Sequence, residues 1–299
     1  MRPDSPSPVI PFLVACAGIA TFSAMDVLMK GLSIDIGAYN AVLWRTGAGT
    51  LLSGLLYVAS RPKWPGKATM TIHAWRSVFV AGMALSFFWA LARLPIAEAI
   101  ALAFVAPLMA LYMAAIFLGE KIGPRSIAAS LLGLAGVIVI VAGKLGGDYS
   151  DEALLAVGAV FLSAVFYAYN LILARRQAKM AEPLEIAFFQ NAFVAAILAL
   201  GAPWFLAVPA AGHAPHIVGA AALATASLLL LSWAYARAET QILATTEYTG
   251  FLWAMLFGWM FFDEAVTWPT IAGAALIVIG CLIVARKAPP LDPIEPAAA

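Results

Sequence analysis

The chain of 299 residues is 64% hydrophobic and only 11% charged, with a formal net charge of +1. A soluble domain carries about 25% charged residues, so the composition excludes a water-soluble protein. The near-neutral balance leaves no electrostatic footprint for a nucleic-acid partner.

A short Pro-rich start, MRPDSPSPVI, precedes an apolar run that continues to Lys30. That run is too long for the roughly 7 to 15-residue core of a cleaved signal peptide, so it is kept as a helix. Turn-formers and charges then divide the chain into ten predicted spans, at about 8–30, 37–60, 73–93, 97–118, 124–145, 152–174, 184–207, 215–236, 242–262 and 267–286. Each is near the roughly 20 residues that a hydrocarbon core about 30 Å thick demands of a helix. The reading is an all-α integral membrane protein of ten transmembrane helices. Cys16 and Cys281 fall inside spans 1 and 10 as buried thiols. The last dozen residues, APPLDPIEPAAA, lack an apolar face and are expected to be disordered.

With the N-terminus cytoplasmic, the inside segments hold thirteen cations: Arg2, Arg61, Lys63, Lys67, Arg76, Lys121, Arg125, Arg175, Arg176, Lys179, Arg237, Arg286 and Lys287. The outside ends hold three, Lys30, Arg93 and Lys144, and Arg45 is left within span 2. That excess predicts both termini on the cytoplasmic side of a bacterial-type inner membrane.

The stretch LSFFWALARLPIAEAIALAF, 85–104, returns as LLLLSWAYARAETQILATTEY, 228–248. Trp89 falls on Trp233 and Arg93 on Arg237, a shift of 144 residues both times (233 − 89 and 237 − 93). The same shift carries Phe104 to Tyr248, Pro107 to Phe251, Glu120 to Glu264 and Gly136 to Gly280. GIATFSAM at 18–25 matches GAVFLSAV at 158–165 with a shift of 140. The unit thus has five helices, an odd number, so tandem copies cross the membrane in opposite senses, the inverted arrangement of transporters. The boundaries are a cytoplasmic tail at 1–9, repeats at 10–145 and 152–287, and a tail at 288–299.

The paired ends FLGEKIGPRSIAASLLGLAGVIVI and FFDEAVTWPTIAGAALIVIGCLIV, with EYTGFLWAMLFGW, MDVLMK and LWRTG, make the chain resemble the drug/metabolite transporter superfamily, of the ten-helix EamA type. The resemblance covers about 10–287. It implies a substrate cavity walled by helices 1–4 and 6–9, with helices 5 and 10 as outer supports, and small organic substrates that are often exported. Within the superfamily the chain is most similar to the aromatic and neutral amino-acid exporters. Export of such an amphipathic metabolite by alternating access is the expected function. A purine-, sugar- or S-adenosylmethionine-type metabolite or a drug is the alternative, and a non-transporting membrane scaffold is a rival from another class. No cofactor and no obligate protein partner are expected, only the small-molecule substrate and lipid.

Candidate residues follow from depth and chemistry. Asp26 and Lys30 are four apart on one helix face and can pair, and Arg45 lies at comparable depth on the next helix. A structural ion cluster, proton coupling through Asp26 and substrate contact all stay open for these three. Near mid-depth the cavity helices offer Phe22, Ser23, Met83, Ser86, Pro107, Phe161, Ser163, Tyr167, Ser227 and Trp253, with Tyr248, Gln190 and Asn191 further inside, an aromatic wall with a few hydroxyls and amides. Pro107 leaves the Ala103 carbonyl without its helical partner. Trp89 with Arg93 and Trp233 with Arg237 read as interfacial anchors or as gate contacts. Glu120 and Glu264 read as helix-end structural groups accepting orphan backbone N–H bonds. Glu98 and Glu247 are placed at the cavity mouth, where each can face an ammonium. Enzyme signatures such as H-E-x-x-H, G-x-S-x-G and Gly-rich phosphate loops do not occur, and His213 and His216 lack a neighbouring Cys or acid for a metal site, so no catalytic or metal-binding residue is expected.

Overall fold

A computed structural model describes residues 9–60, 63–106, 108–109, 112–113, 124–145, 151–177, 179–237 and 243–285. Its long helices are α1 (Val9–Ile36), α2 (Ala38–Ala59), α3 (Lys67–Leu91), α4 (Ile96–Ala103), α5 (Pro124–Leu145), α6 (Asp151–Gln177), α7 (Pro183–Ala199), α8 (Ala214–Tyr235), α9 (Thr249–Phe262) and α10 (Trp268–Ala285). Beyond Phe104 and Val105 helical backbone returns at 106, 108–109 and 112–113. Pro107 and Glu120 lie outside the described residues. No strand occurs among the described residues, and the chain is an all-α membrane protein. Helices α1, α3, α6 and α8 are each long and apolar enough by themselves to cross a bilayer.

Local chemistry sets the breaks. Gly37, at φ 79, reverses the chain between α1 and α2 in a backbone region that an L side chain rarely enters. Pro95 precedes α4, and its fixed φ of −54 starts the new helix. Asp263 takes the left-handed conformation at φ 52 and ends α9, where Glu264 N–H donates to the Gly258 carbonyl. Inside α2, the hydroxyls of Thr46 and Thr50 return to carbonyls four residues earlier, which satisfies them where water is absent.

Two boundaries differ from expectation in ways that matter. Helix α1 runs on to Ile36, which places Lys30 six residues inside it. Helix α3 begins at Lys67, so Arg76 is nine residues into a helix instead of in a cytoplasmic segment. The expected span at 184–207 is α7 followed by a separate turn of helix at Ala202–Phe205.

The helices pack in four dominant pairs, α1 on α8, α3 on α6, α2 on α7 and α5 on α10, and α4 packs on α9. Further contacts, α1 with α9, α4 with α6, α3 with α7 and α2 with α8, close a ring in the order α1, α9, α4, α6, α3, α7, α2, α8. Replacing each helix by its partner five places away turns this set of pairs into itself. Helices α5 and α10 stand outside the ring against α4, with their backbones in close approach: a Cβ on Gly136 would meet the Gly273 carbonyl oxygen at 2.5 Å. Met25, Met29, Leu32, Leu91, Leu94 and Ile96 are buried in the interior. Leu51, Leu55, Leu131, Ile138 and Trp259 face outward as the surface that lipid solvates.

Candidate transport path and its two ends

The end of the ring holding Gly37, Pro95 and Asp263 is called outer here, following the charge bias. There the buried Lys30 ammonium pairs with Glu264 and also donates to the Leu94 carbonyl at 2.6 Å. The other Glu264 oxygen accepts the Ile96 N–H at 2.7 Å, one of the donors that the start of α4 leaves orphaned. The Phe262 ring lies 5.2 Å from the ammonium. One ion pair thereby ties α1, the α3–α4 link and the α9–α10 link. Lys30 is paired with Glu264 and not with Asp26, contrary to the pairing expected from their spacing. The helix start that Glu264 serves is that of α4, in the other half of the chain.

A second set of bonds ties α2 to the α7–α8 connection. Tyr39 donates to the Leu198 carbonyl, Asn40 accepts the Ala207 N–H at 2.8 Å, and the Trp44 indole donates to the Ala207 carbonyl at 3.0 Å. His213 faces Asp35 at 3.5 Å. Helix α1 also packs on α2 and α3, whereas its counterpart α6 makes no comparable contact with α7 or α8 among the described residues. Behind the ion pair lies a cavity of about 100 Å³ lined by Pro95, Glu98, Met255, Gly258, Glu264 and Thr270.

The inner half holds a chain of polar side chains that the sequence alone did not single out. The Arg76 guanidinium donates to Asn170 Oδ1 at 2.8 Å and to Gln177 Oε1. Gln177 Nε2 lies 2.6 Å from His73 Nδ1, and His73 Nε2 lies 3.0 Å from Glu185. Arginine only donates, so the Gln177 oxygen turns to Arg76 and its NH₂ to the ring. His73 Nδ1 therefore accepts, and its Nε2–H donates to Glu185. The chain joins α3, α6 and α7. Nearby, the Tyr235 hydroxyl donates to Glu247 at 3.2 Å, and Tyr167 lies within electrostatic reach of both Glu247 and Arg76. A wider inner cavity of about 480 Å³ is lined by Tyr57, Lys63, Lys179, Glu182 and Glu185.

The other expected residues divide by what they touch. Asp26 is buried and interacts electrostatically with Arg45, but the two form no direct ion pair, and Asp26 Oδ1 and Arg45 Nε lack a hydrogen-bond partner. Ser163 donates to the Met83 carbonyl at 3.0 Å and Ser227 to the Gly18 carbonyl at 2.8 Å, so these hydroxyls join α6 to α3 and α8 to α1. Ser86 and Asn191 bond back within their own helices. Ser23 is buried, Phe22 is exposed, and Phe161 and Gln190 are half-buried. Tyr248 meets Phe104 edge to face at 5.6 Å, joining the very positions that the 144-residue shift equates, and Trp253 stacks on Phe257. Arg93 lies 3.9 Å over the Trp89 ring and Arg237 lies 4.3 Å over Trp233, each also bonded to that Trp carbonyl. Both guanidinium groups are exposed and engaged within their own helices.

A closed ring of apolar helices with ionisable groups confined to its ends and a few interior positions defines a multi-pass helical membrane protein. The chain belongs to the EamA-like transporter family, whose model matches residues 9–142 and 154–286. It is 32% identical over 279 residues to the pseudopaline exporter CntI of Pseudomonas aeruginosa, covering 92% of this chain and 95% of that one. It is 28% identical over 281 residues to a riboflavin transporter of Rhizobium johnstonii, covering 91% and 89%. To the aromatic amino acid exporter YddG of Ancylobacter novellus it is 28% identical over 174 residues, covering 58% and 56%. A solved crystal structure matches the fold with a TM-score of 0.62 at 20% identity, over 93% of this chain and 99% of that one.

Proposed function

We propose that this transporter is an alternating-access exporter of a small amphipathic metabolite, with aromatic and other neutral amino acids as first candidates. Its halves, 10–145 and 152–287, act as inverted repeats in an inner membrane, with both termini cytoplasmic. The observation that supports this most is the ring whose helix pairs map onto themselves when the halves are exchanged, but whose outer end alone carries the Lys30–Glu264 tie. Two halves of similar packing energy can trade roles, and a few polar contacts at either end then decide which side is open. A second reading takes a metabolite of the kind named for the relatives matched over most of their length, pseudopaline or riboflavin. The fuller coverage of those relatives favours it over the partly matched amino-acid exporter.

The test is flux in liposomes containing the purified protein, without ATP. Phenylalanine, tryptophan, leucine and riboflavin are loaded inside, and release is followed with and without a proton gradient. Protein-dependent release of the amino acids supports the first reading. Release of riboflavin alone supports the second, and no release of any compound overturns the first and removes riboflavin from the second.

A further inference from the structure

The ring order separates the polar groups of the inner half into two walls. Arg76 on α3 and Tyr167 on α6 stand on adjacent helices, while Tyr235, the last residue of α8, and Glu247, just before α9, flank α1 on the opposite side. Helices α6 and α9 are not neighbours in the ring, yet Tyr167 is within electrostatic reach of Glu247. The two walls therefore stand on opposite sides of the ring, one carrying a guanidinium and the other a carboxylate. Glu247 is exposed as a residue, and Tyr235 bonds one of its oxygens. Arg76 spends its Nε and one Nη on Asn170 and Gln177. An arginine has five N–H donors in a rigid fork, so the guanidinium is fixed in direction and still has donors to offer. The His73–Glu185 end of the polar chain holds Gln177 in place behind it.

We infer that Arg76 with Tyr167 and Glu247 with Tyr235 form a binding site for a zwitterion, whose carboxylate is taken by the arginine wall and whose ammonium is taken by the glutamate wall. The Phe104–Tyr248 ring pair, next in sequence to Glu247, supplies an aromatic surface for the apolar body of the ligand. The inference rests on the proposed function and names the chemical class read at that site. A fixed pair of opposite charges discriminates against a compound that lacks either complement, because one of the two charges is then left without its partner. Asn170 and Gln177 are positioning residues: they aim Arg76 and touch no ligand.

The experiment is equilibrium binding of radiolabelled phenylalanine to the purified protein, competed with phenethylamine, which lacks the carboxylate, and with 3-phenylpropionate, which lacks the ammonium. In the wild type both analogues compete about tenfold or more worse than phenylalanine. In Glu247→Gln, phenylalanine weakens and phenylpropionate competes as well as phenylalanine does. In Arg76→Gln, phenethylamine gains that equality. Arg76 also supports helix packing, so if its variant does not fold, Glu247→Gln alone decides. A wild type that transports phenylalanine, with analogue selectivity unchanged in the folded variants, overturns the site and leaves the function standing. A wild type that neither binds nor transports phenylalanine overturns both.

Discussion

Replacing Lys30 by methionine removes the cation from the outer tie while keeping most of its apolar stem. Three interactions change at once: the ion pair to Glu264, the Lys30 bond to the Leu94 carbonyl, and the charge balance of the carboxylate that caps Ile96. Breaking a buried pair costs about 3 to 5 kcal/mol. The side chains here are 6% and 14% exposed, and Glu264 keeps its bond to Ile96, so a value of about 2 to 3 kcal/mol is expected. On the proposed function, only the state closed to the outside contains the tie. At about 1.4 kcal/mol per tenfold, its population relative to the outward-open state should fall roughly 30- to 150-fold. Ala97 is buried and lines the small cavity behind the tie, which makes it the reporter position. With Cys16 and Cys281 changed to serine and Ala97 to cysteine, a membrane-impermeant maleimide applied from outside should label the Lys30→Met protein faster by about that factor. Lys30→Arg should restore part of the protection. An unchanged labelling rate in folded Lys30→Met would refute the assignment of this ion pair as the outer closure.

Asp26 and Arg45 interact electrostatically without a direct ion pair, so Asp26→Asn should lower stability by about 1 kcal/mol. Asp26→Asn with Arg45→Met should recover much of that loss in thermal unfolding, and strictly additive losses would deny the coupling. Folded Asp26→Asn should keep substrate exchange between the two sides; loss of gradient-driven accumulation with exchange intact would instead make Asp26 the proton carrier. Gly136→Val places atoms against the Gly273 carbonyl and should destabilise the protein by about 3 kcal/mol or more, read as loss of monodisperse protein in detergent, while Gly158→Ala, where no neighbour lies within 4 Å, should not. In the absence of ligand, His73→Ala removes the partner of both Gln177 and Glu185 and should lower the unfolding temperature, and an unchanged value would mean the polar chain contributes no stability.

The helices were legible because span length, turn residues and the 144-residue shift are local or periodic signals. Trp89 with Arg93 and Trp233 with Arg237 were legible as matched pairs for the same reason, since each cation–π contact lies within one helical turn. Partners distant in sequence were not. Lys30 and Glu264 are 234 residues apart, and the spacing to Asp26 offered a nearer but wrong partner. Arg76 was counted with the cytoplasmic charges because the start of α3 carries lysine, histidine and tryptophan, which hide six residues of helix. The chain of His73, Arg76, Asn170, Gln177 and Glu185 joins residues 94 to 112 apart, beyond any periodic signal. One clue was present: charges the repeat fails to reproduce. The 140-residue shift sets Lys30 against Asn170 (30 + 140), and the 144-residue shift sets Arg76 against Ala220 (76 + 144). The halves differ at both positions, and an amide in place of Lys30 leaves the inner end without the cation that ties the outer one.

The central claim is that one path opens alternately to either side, and counterflow tests it most directly. Liposomes holding the purified protein and labelled phenylalanine are diluted into buffer with or without unlabelled phenylalanine, at matched pH and no membrane potential. Alternating access predicts faster efflux of label when substrate is present outside, because the loaded carrier returns more readily than the empty one that must break or remake the outer tie unaided. Efflux that is rapid but indifferent to outside substrate would be the behaviour of a channel and would contradict the account.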